Sequence, residues 1–302
     1  MQVIVIGDVM LDVYYNGKIS RISPEAPVPI ILNANETYTG GGAANVALNL
    51  SGLGLDAKLY GIVGQDELAQ KLKSTLDKAN IRYYLITSDC QPTITKRRIL
   101  GNNHHVVRMD TESPFSKDYA EELKKSAESI EATYVVLSDY DKGSLIDIAD
   151  YIKKFQSKGI RVIVDPKKEL QAYSGAWFVK PNQAEFNKYV GAFSTHSELI
   201  AKAQDCIKRC HFEHMLVTLG SEGMMYINVK EAKFFAAETQ SVADITGAGD
   251  TVIAGLIYGL MHQNSIEQSI LLAKKMAELS VTQVGTYVLG KKDLHKLLGE
   301  II

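Results

Sequence analysis

Cysteine is scarce in this sequence. Cys90, Cys206 and Cys210 are the only three, too few for a disulfide framework, and a trio cannot pair completely, which suits a reducing compartment. Charge of one sign is also lacking. Lys and Arg number 33 against 35 Asp and Glu, a net of −2, so no overall positive field draws the chain to nucleic acid or to an anionic membrane. No run of about 18 apolar residues occurs, and MQVIVIGDVMLD carries an acid by position 8 with no basic segment before it, which excludes a spanning helix and a secretory leader as expectations. The protein is expected in the cytoplasm. Prolines number 7 and no low-complexity stretch or internal repeat is present, so a fibrous or disordered chain is excluded as well.

What is present is a sizeable apolar fraction in short runs. Hydrophobic residues make up 46% of 302 positions and charged ones 23%, enough to bury a large core. Val3-Ile4-Val5-Ile6 is a β-branched run ended by Gly7, as in a strand buried on both faces of a parallel sheet. Similar runs recur at 59–63, 134–137, 162–164, 177–179 and 215–217. Helical periodicity is read at 43–51, 68–79, 119–129, 145–157, 198–209, 251–261, 266–281 and 294–302. Alternating strands and helices predict an α/β fold, a doubly wound and mostly parallel sheet flanked by helices, with ligands at the carboxyl ends of the strands.

Two stretches break the rhythm. Residues 13–39 are proline-spaced and strand-like, and residues 93–109 read as two strands around the turn Gly101-Asn102-Asn103. Together they predict a small β-sheet lid made of insertions at about 13–39 and 91–110 in a single domain spanning 1–302.

The strongest local motif is Asp244-Ile245-Thr246-Gly247-Ala248-Gly249-Asp250-Thr251, leading into the apolar segment VIAGLIYGLM. Small residues at 247–249 let backbone N–H groups converge at a helix start, where unpaired donors and the helix dipole favour an anion. Asp250 beside that positive end is expected to be ionised and to serve as base for a hydroxyl attacking phosphorus. An N-capped helix after a glycine turn is the plainer reading of the same residues. Gly40-Gly41-Gly42-Ala43-Ala44-Asn45 opens another helix, where glycines allow a ligand close to the backbone and Asn45 offers a donor and an acceptor; a flexible loop fits too. Asp8 and Asp12 follow the first strand, and a carboxylate there can accept sugar hydroxyls or cap a turn.

Other patterns carry less. The G-x-x-x-x-G-K-[ST] phosphate loop is missing. Gly52-Leu53-Gly54-Leu55-Asp56-Ala57 matches a loose dinucleotide pattern, but it ends a helix and precedes a strand, the reverse of the needed order. Cys206, Cys210, His211 and His214 have no usual zinc spacing, and His104 and His105 in one strand point to opposite faces.

GGGAANVALNLSGLG with LYGIVGQD (40–66), followed by DITGAGDTVIAGL (244–256), resembles the ribokinase-like (PfkB) carbohydrate kinases over essentially the whole chain. More narrowly, residues 7–30, PTITKRRIL (92–100), VVRMD (106–110), LSDYDKG (137–143) and VDPK (164–167) are similar to the kinases of ADP-heptose biosynthesis, which phosphorylate O1 of D-glycero-β-D-manno-heptose 7-phosphate. Many of those are fused to a nucleotidyltransferase, whereas this sequence ends before one, so a stand-alone kinase is expected. The resemblance implies ATP and Mg²⁺ as cofactors, Asp250 as catalytic base, and an anion hole from the amides of Gly247, Ala248 and Gly249. It assigns the sugar hydroxyls to Asp12, Gly41, Gly42 and Asn45. Asn182 and Glu185 would order Mg²⁺ and the nucleotide phosphates through water, Thr218, Gly220 and Gly223 would form the nucleotide loop, and Asp244 and Thr246 a monovalent cation site, such as K⁺. Lys274, Lys275 and Tyr287 depart from what relatives often carry near the adenine and the cation.

A substrate already bearing a phosphate needs cations that a neutral sugar does not. Lys96, Arg98 and Arg108 on the hairpin, with Arg21, Lys142 and Lys167 from other motif segments, are the candidates; strand alternation puts Lys96 and Arg98 on one face and Arg97 on the other. A solvated charged hairpin is the alternative. The apolar stretch Val28-Pro29-Ile30-Ile31-Leu32 at a strand edge predicts a homodimer in which two lids cover each other. Kinases of another phosphosugar or sugar acid, and a regulator that binds without turnover, stay open; no nucleic acid or membrane partner is expected.

Overall fold

The computed structural model describes residues 2–238 and 241–299. Its centre is a nine-stranded sheet built around β1 (Val3–Gly7), with β4 (Ala57–Gly64) and β5 (Arg82–Ser88) on one side. On the other side follow β8 (Tyr134–Ser138), β9 (Arg161–Asp165), β10 (Phe178–Val179), β11 (His214–Thr218), β12 (Gly223–Ile227) and β13 (Ala232–Ala236). Pairing is parallel from β5 through β11 and antiparallel only at β12 and β13.

Side chains of β1 alternate between two cores, which is what makes both faces of the sheet apolar. Val3 and Val5 pack with α1 (Ala43–Gly52), α7 (Ala248–Met261) and α8 (Ile266–Val281). Ile4 and Ile6 pack with α4 (Ile148–Ser157) and α6 (His196–Cys210) on the opposite face. Each fully buried branched side chain contributes about 1.5–3 kcal/mol; a charged residue at Val5 would remove that and leave a charge without a partner.

The two irregular stretches do form a small sheet. Its order is β3-β2-β6-β7, with β2 spanning Val9–Ile22, β3 Pro29–Gly42, β6 Thr95–Gly101 and β7 His104–Thr111. Asn102 and Asn103 both adopt positive φ, 52° and 66°, the conformation a two-residue hairpin turn demands and asparagine tolerates. β2 leaves the main sheet directly from β1, so the lid is rooted in the central strand.

The remaining helices are α2 (Glu67–Lys78), α3 (Lys117–Ser126), the short α5 (Gln183–Tyr189) and α9 (Lys291–Gly299). Residues 300–302, the end of the expected last helix, lie outside the described residues. Edge strand β5 and helix α5 had no place in the sequence pattern: β5 alternates exposed and covered residues instead of forming an apolar run, and α5 is too short for a period to register. α4 begins at Ile148, not 145, because Asp147 sits in the left-handed region and the chain before it is drawn toward Asp8.

Candidate active site

Asp8, one residue past β1, organises the loop after β8. Its Oδ2 accepts from the amides of Tyr140 and Lys142 at 2.8 and 3.0 Å, and its Oδ1 from the amide of Ser144 at 3.0 Å. A buried carboxylate paired with three backbone N–H groups satisfies its charge without a cation. The loop is thereby fixed with Tyr140 directed inward, and the Tyr140 hydroxyl donates to Asp250 Oδ1 at 2.9 Å. The sequence read Asp8, like Asp12, as a carboxylate for sugar hydroxyls or a turn cap; both of its oxygens are instead taken by the amides of this loop, and Tyr140 was not singled out.

Asp250 lies in the first turn of α7. Gly247 caps that helix with φ of 79°, and a Cβ on it would stand 2.6 Å from Asn45 Nδ2, so glycine lets the two glycine-rich motifs touch. Asn45 Nδ2 donates to Asp250 Oδ2 at 2.8 Å while Asn45 Oδ1 accepts from Asn49 at 3.0 Å. Asn45 therefore holds the carboxylate from one side and Tyr140 from the other. Burial, and then the neighbouring Asp165 charge, push the Asp250 carboxyl up to about 7 despite the donors from Asn45 and Tyr140. The expectation of a plainly ionised Asp250 is corrected accordingly: desolvation outweighs the helix end.

Asp165 and Lys180 complete this floor, and sequence reasoning missed both. Each stands at the carboxyl end of an apolar strand run, VIVD and WFVK, which is the signal that could have found them. Lys180 Nζ lies 2.9 Å from Asp165 Oδ1. A Cβ on Gly249 would come within 3.1 Å of the same ammonium. Burial opposes the charge on Lys180, but Asp165 more than offsets it and its proton is held above the ordinary lysine range.

The lid presents a polar face to this floor. Cross-strand register places Asp12 opposite Lys96, Tyr14 opposite Arg98, Arg98 opposite Arg108 and Lys96 opposite Asp110. Arg97 lies on the other face, donating to Thr95 and Thr111. Arg98 Nη1 stands 2.7 Å from Asp12 Oδ1, and Asp12 Oδ2 accepts from the Thr286 hydroxyl at 2.8 Å. The Asp12–Arg98 approach is close but poorly directed, so both atoms are buried without a proper hydrogen bond. Gly41 brings its backbone against the Asp12 carboxylate, where a Cβ would meet it at 3.0 Å, and Gly42 lies against the Asp8 carbonyl with φ of 57°. Lys96 Nζ hangs 5.9 Å from the Tyr140 ring centroid, and burial depresses its proton affinity even with Asp12 and Glu112 nearby.

The other expected cations are dispersed. Arg108 donates to Asp110 at 2.9 Å and is exposed; Lys142 donates to Glu112 at 2.6 Å. Lys167, two residues beyond Asp165, reaches Glu185 at 3.2 Å. Arg21 is exposed in the outer part of β2, about 30 Å from Asp12 at the ~3.3 Å rise of a strand. It is not brought to the others.

Asn182 and Glu185 form a capping box on α5: Glu185 N donates to Asn182 Oδ1, and Asn182 N donates to Glu185 Oε2, both at 2.9 Å. Thr218 ends β11, bridged to Asn182, with Gly220 and Gly223 in the turn that follows. Among the described residues no three His, Cys, Asp or Glu side chains gather into a metal cage. Glu185 Oε1 lies outside the box and accepts from Lys167 Nζ at 3.2 Å. Asp244 Oδ1 accepts from the amide and hydroxyl of Thr246 at 2.9 and 2.7 Å, and Oδ2 from Gly285 at 3.1 Å. His105 of the lid lies 3.3 Å from the same Oδ2. Lys274 is buried and donates to Ala236 O and to Glu238.

A buried carboxylate at a glycine-lined helix start, on the floor of a doubly wound sheet and under a β lid, defines a sugar kinase. The chain belongs to the pfkB family of carbohydrate kinases, whose model matches residues 1–292. It is 39% identical over 301 residues to the bifunctional protein HldE of Hydrogenovibrio crunogenus, covering 98% of this chain and 62% of that protein, and 39% identical over 298 residues to that of Stutzerimonas stutzeri, covering 97% and 63%. The chain thus spans somewhat under two thirds of the length of these relatives. In fold it matches the phosphofructokinase-2 from Escherichia coli crystallised with potassium (TM-score 0.82, 19% identity, 99% of this chain and 98% of that one). It also matches ribokinase from Giardia lamblia (TM-score 0.78, 18% identity, 100% and 99%). No helix among the described residues is long and apolar enough to cross a membrane.

Proposed function

We propose that this sugar kinase transfers the γ-phosphoryl group of ATP to O1 of D-glycero-β-D-manno-heptose 7-phosphate, giving the 1,7-bisphosphate. The observation that carries the reading is the pairing of a buried Asp250 with a lid face whose buried Asp12 Oδ1 and Arg98 Nη1 form an ion pair at 2.7 Å without a well-directed hydrogen bond between them. Sugar hydroxyls are groups that can donate to the one and accept from the other. The motif segments shared with the heptose kinases, and similarity to proteins named HldE, support the choice of sugar.

In this reading the sugar lies between lid and floor, with Asp12 and the Gly41–Gly42 backbone holding its hydroxyls. Lys96 and Arg108 are the lid cations left to meet the substrate phosphate, Lys142 flanks them, and Arg98 mainly holds Asp12. Asp250 takes the proton of the attacking hydroxyl, and a carboxyl held near pH 7 is suited to that task. Asn45 and Tyr140 aim its two oxygens. Amides of Gly247, Ala248 and Gly249 receive the transferring phosphoryl at the start of α7. Asn182 and Glu185 stand on the nucleotide side with Thr218, Gly220 and Gly223; Mg²⁺, when bound there through water, would neutralise phosphate charge. Asp244 and Thr246 are the residues for a K⁺ ion.

We read residues 1–302 as one kinase domain, acting in the cytoplasm where ATP is available, and as a homodimer joined through the lids. The test of substrate is a panel of phosphorylated and neutral sugars with ATP and Mg²⁺, followed by ADP release. Heptose 7-phosphate should be used well above unphosphorylated heptose and above hexose phosphates; equal use of a neutral sugar would remove the phosphosugar assignment.

A further inference from the structure

Tyr14 and Thr286 lie far apart in the chain and meet at the sugar side of the site. Tyr14 projects from β2 two residues after Asp12, and Thr286 belongs to the loop between α8 and α9. The Thr286 amide donates to the Tyr14 hydroxyl at 2.8 Å, the two hydroxyls stand 2.8 Å apart, and the Thr286 hydroxyl donates to Asp12 Oδ2 at 2.8 Å. Counting protons fixes the direction of the middle bond. A carboxylate only accepts, so the single proton of the Thr286 hydroxyl goes to Asp12, and Tyr14 must donate its own proton to Thr286 Oγ1. Burial, and then the Asp12 charge, push the Tyr14 hydroxyl above its ordinary pKa, so it keeps the proton that it donates.

The neighbours hold this chain of bonds from both ends. The Arg98 guanidinium lies 5.2 Å from the Tyr14 ring centroid and 2.7 Å from Asp12 Oδ1. Gly285 has φ of 82° and packs on the same ring, where a Cβ would stand 3.2 Å away, and its amide donates to Asp244 Oδ2 at 3.1 Å. Thr286 is thereby tied to the body of the protein through its neighbour while its hydroxyl reaches into the lid. Asp12 is gripped on one oxygen by Thr286 and on the other by Arg98, so its carboxylate cannot rotate. All protons nearby already point toward it. What Asp12 has left to offer a ligand is acceptor capacity in a fixed direction.

We propose that Thr286, with Tyr14 behind it, is a positioning and specificity-determining residue for the sugar: it holds Asp12 as a fixed acceptor, so that the site selects a substrate with a free hydroxyl at that place over one carrying hydrogen, fluorine or an alkoxy group there. A wrong substituent leaves the buried carboxylate unpaired on that side, and that penalty is what discriminates. The proposal rests on the reading of Asp12 as a sugar ligand.

The experiment measures KM and kcat for the phosphosugar, and for its singly deoxy and deoxyfluoro analogues, in the parent, Thr286→Val, Thr286→Ser, Thr286→Val/Tyr14→Phe and Asp12→Asn. Thermal melting identifies the folded variants. In the parent, one deoxy position should cost about tenfold or more in kcat/KM, and fluorine there should not restore it, because fluorine cannot donate. Thr286→Val and the double variant should raise KM for the phosphosugar by about tenfold or more with KM for ATP within about threefold, and should shrink the deoxy penalty to about threefold or less. Thr286→Ser keeps the hydroxyl and should restore both values. If folded Thr286→Val and the double variant keep the parent KM and the parent deoxy penalty while Asp12→Asn loses them, the role of Thr286 is overturned and the sugar site stands. If Asp12→Asn also keeps them, the reading of Asp12 falls with it.

Discussion

Asn45 donates to Asp250 at 2.8 Å across 205 residues of chain, joining the helix that follows Gly40-Gly41-Gly42 to the helix that follows Gly247. The two glycine motifs are therefore one site, and the carboxylate at its centre can be tested alone. Asp250→Asn keeps the shape and removes the base. Turnover should fall by about two to three orders of magnitude with ATP binding retained. Single-turnover kinetics on the folded variant check this, and a rate within a few fold of the parent would remove Asp250 from the chemistry.

The pH profile follows from the same carboxyl. In the proposed mechanism the base must be unprotonated, and Asp250 is pushed up to about 7 by burial and then by Asp165. The competent fraction thus falls as pH drops below about 7. We expect kcat/KM to decline with unit slope on the acid side, and Asp165→Asn to move that limb to lower pH because one negative neighbour is gone. A limb that stays in place in Asp165→Asn would mean that another group titrates there.

Arg98 and Arg108 face each other across β6 and β7 but differ in surroundings, so their substitutions should differ in kind. Arg98 is buried against Asp12, and Arg98→Ala strands a buried carboxylate, a loss of about 3–5 kcal/mol. A lower melting temperature together with lost activity is expected. Arg108 is exposed and tied only to Asp110. Arg108→Ala should melt near the parent temperature and raise KM for the phosphosugar by about tenfold or more, with little change for ATP. A KM for the phosphosugar that stays at the parent value would leave Arg108 as surface charge.

The contrast between those arginines marks where the sequence stopped being legible. Apolar runs such as Val3–Ile6 and the Asn-Asn turn of the hairpin report the sheet and the lid through local rules, and strand alternation correctly separated Arg97 from Lys96 and Arg98. Which cation pairs with which acid depends on register between strands distant in sequence. Nothing local shows that Arg98 meets Asp12 or that Lys167 lies with Glu185. Lys180 and Asp165 were readable in principle from the ends of apolar runs. Their pairing was not, because only the parallel alignment of β9 and β10 brings them together. Tyr140 was hidden for the same reason, since Asp8 positions it from another strand.

Glu185 offers a separation of structure from charge. Glutamine at the third position of a capping box can still accept the Asn182 amide proton, so Glu185→Gln should leave α5 and the melting temperature nearly unchanged. The negative charge is lost. If Glu185 orders a hydrated Mg²⁺, half-maximal activity should need about fivefold or more Mg²⁺, with KM for the sugar unaffected. An unchanged Mg²⁺ titration would make Glu185 a helix cap and nothing more.

The last prediction concerns the other face of the lid. Val107 and Met109 point away from the cationic face and are each 48% exposed, and Ile22 and Val28 at the outer part of the lid are 59% and 50% exposed. Apolar groups on a strand that ends a small sheet are an association surface unless something covers them. A second copy of the lid presents the same apolar residues, and twofold pairing would let each cover the other. The parent protein should sediment as a dimer at micromolar concentration. Val107→Asp with Met109→Asp should give a monomer, because two like charges would then be buried against their symmetry mates without partners. Those positions lie away from Asp250, so the monomer should melt as a folded protein. A parent that sediments as a monomer with full activity would show that the lid face needs no partner of its own kind.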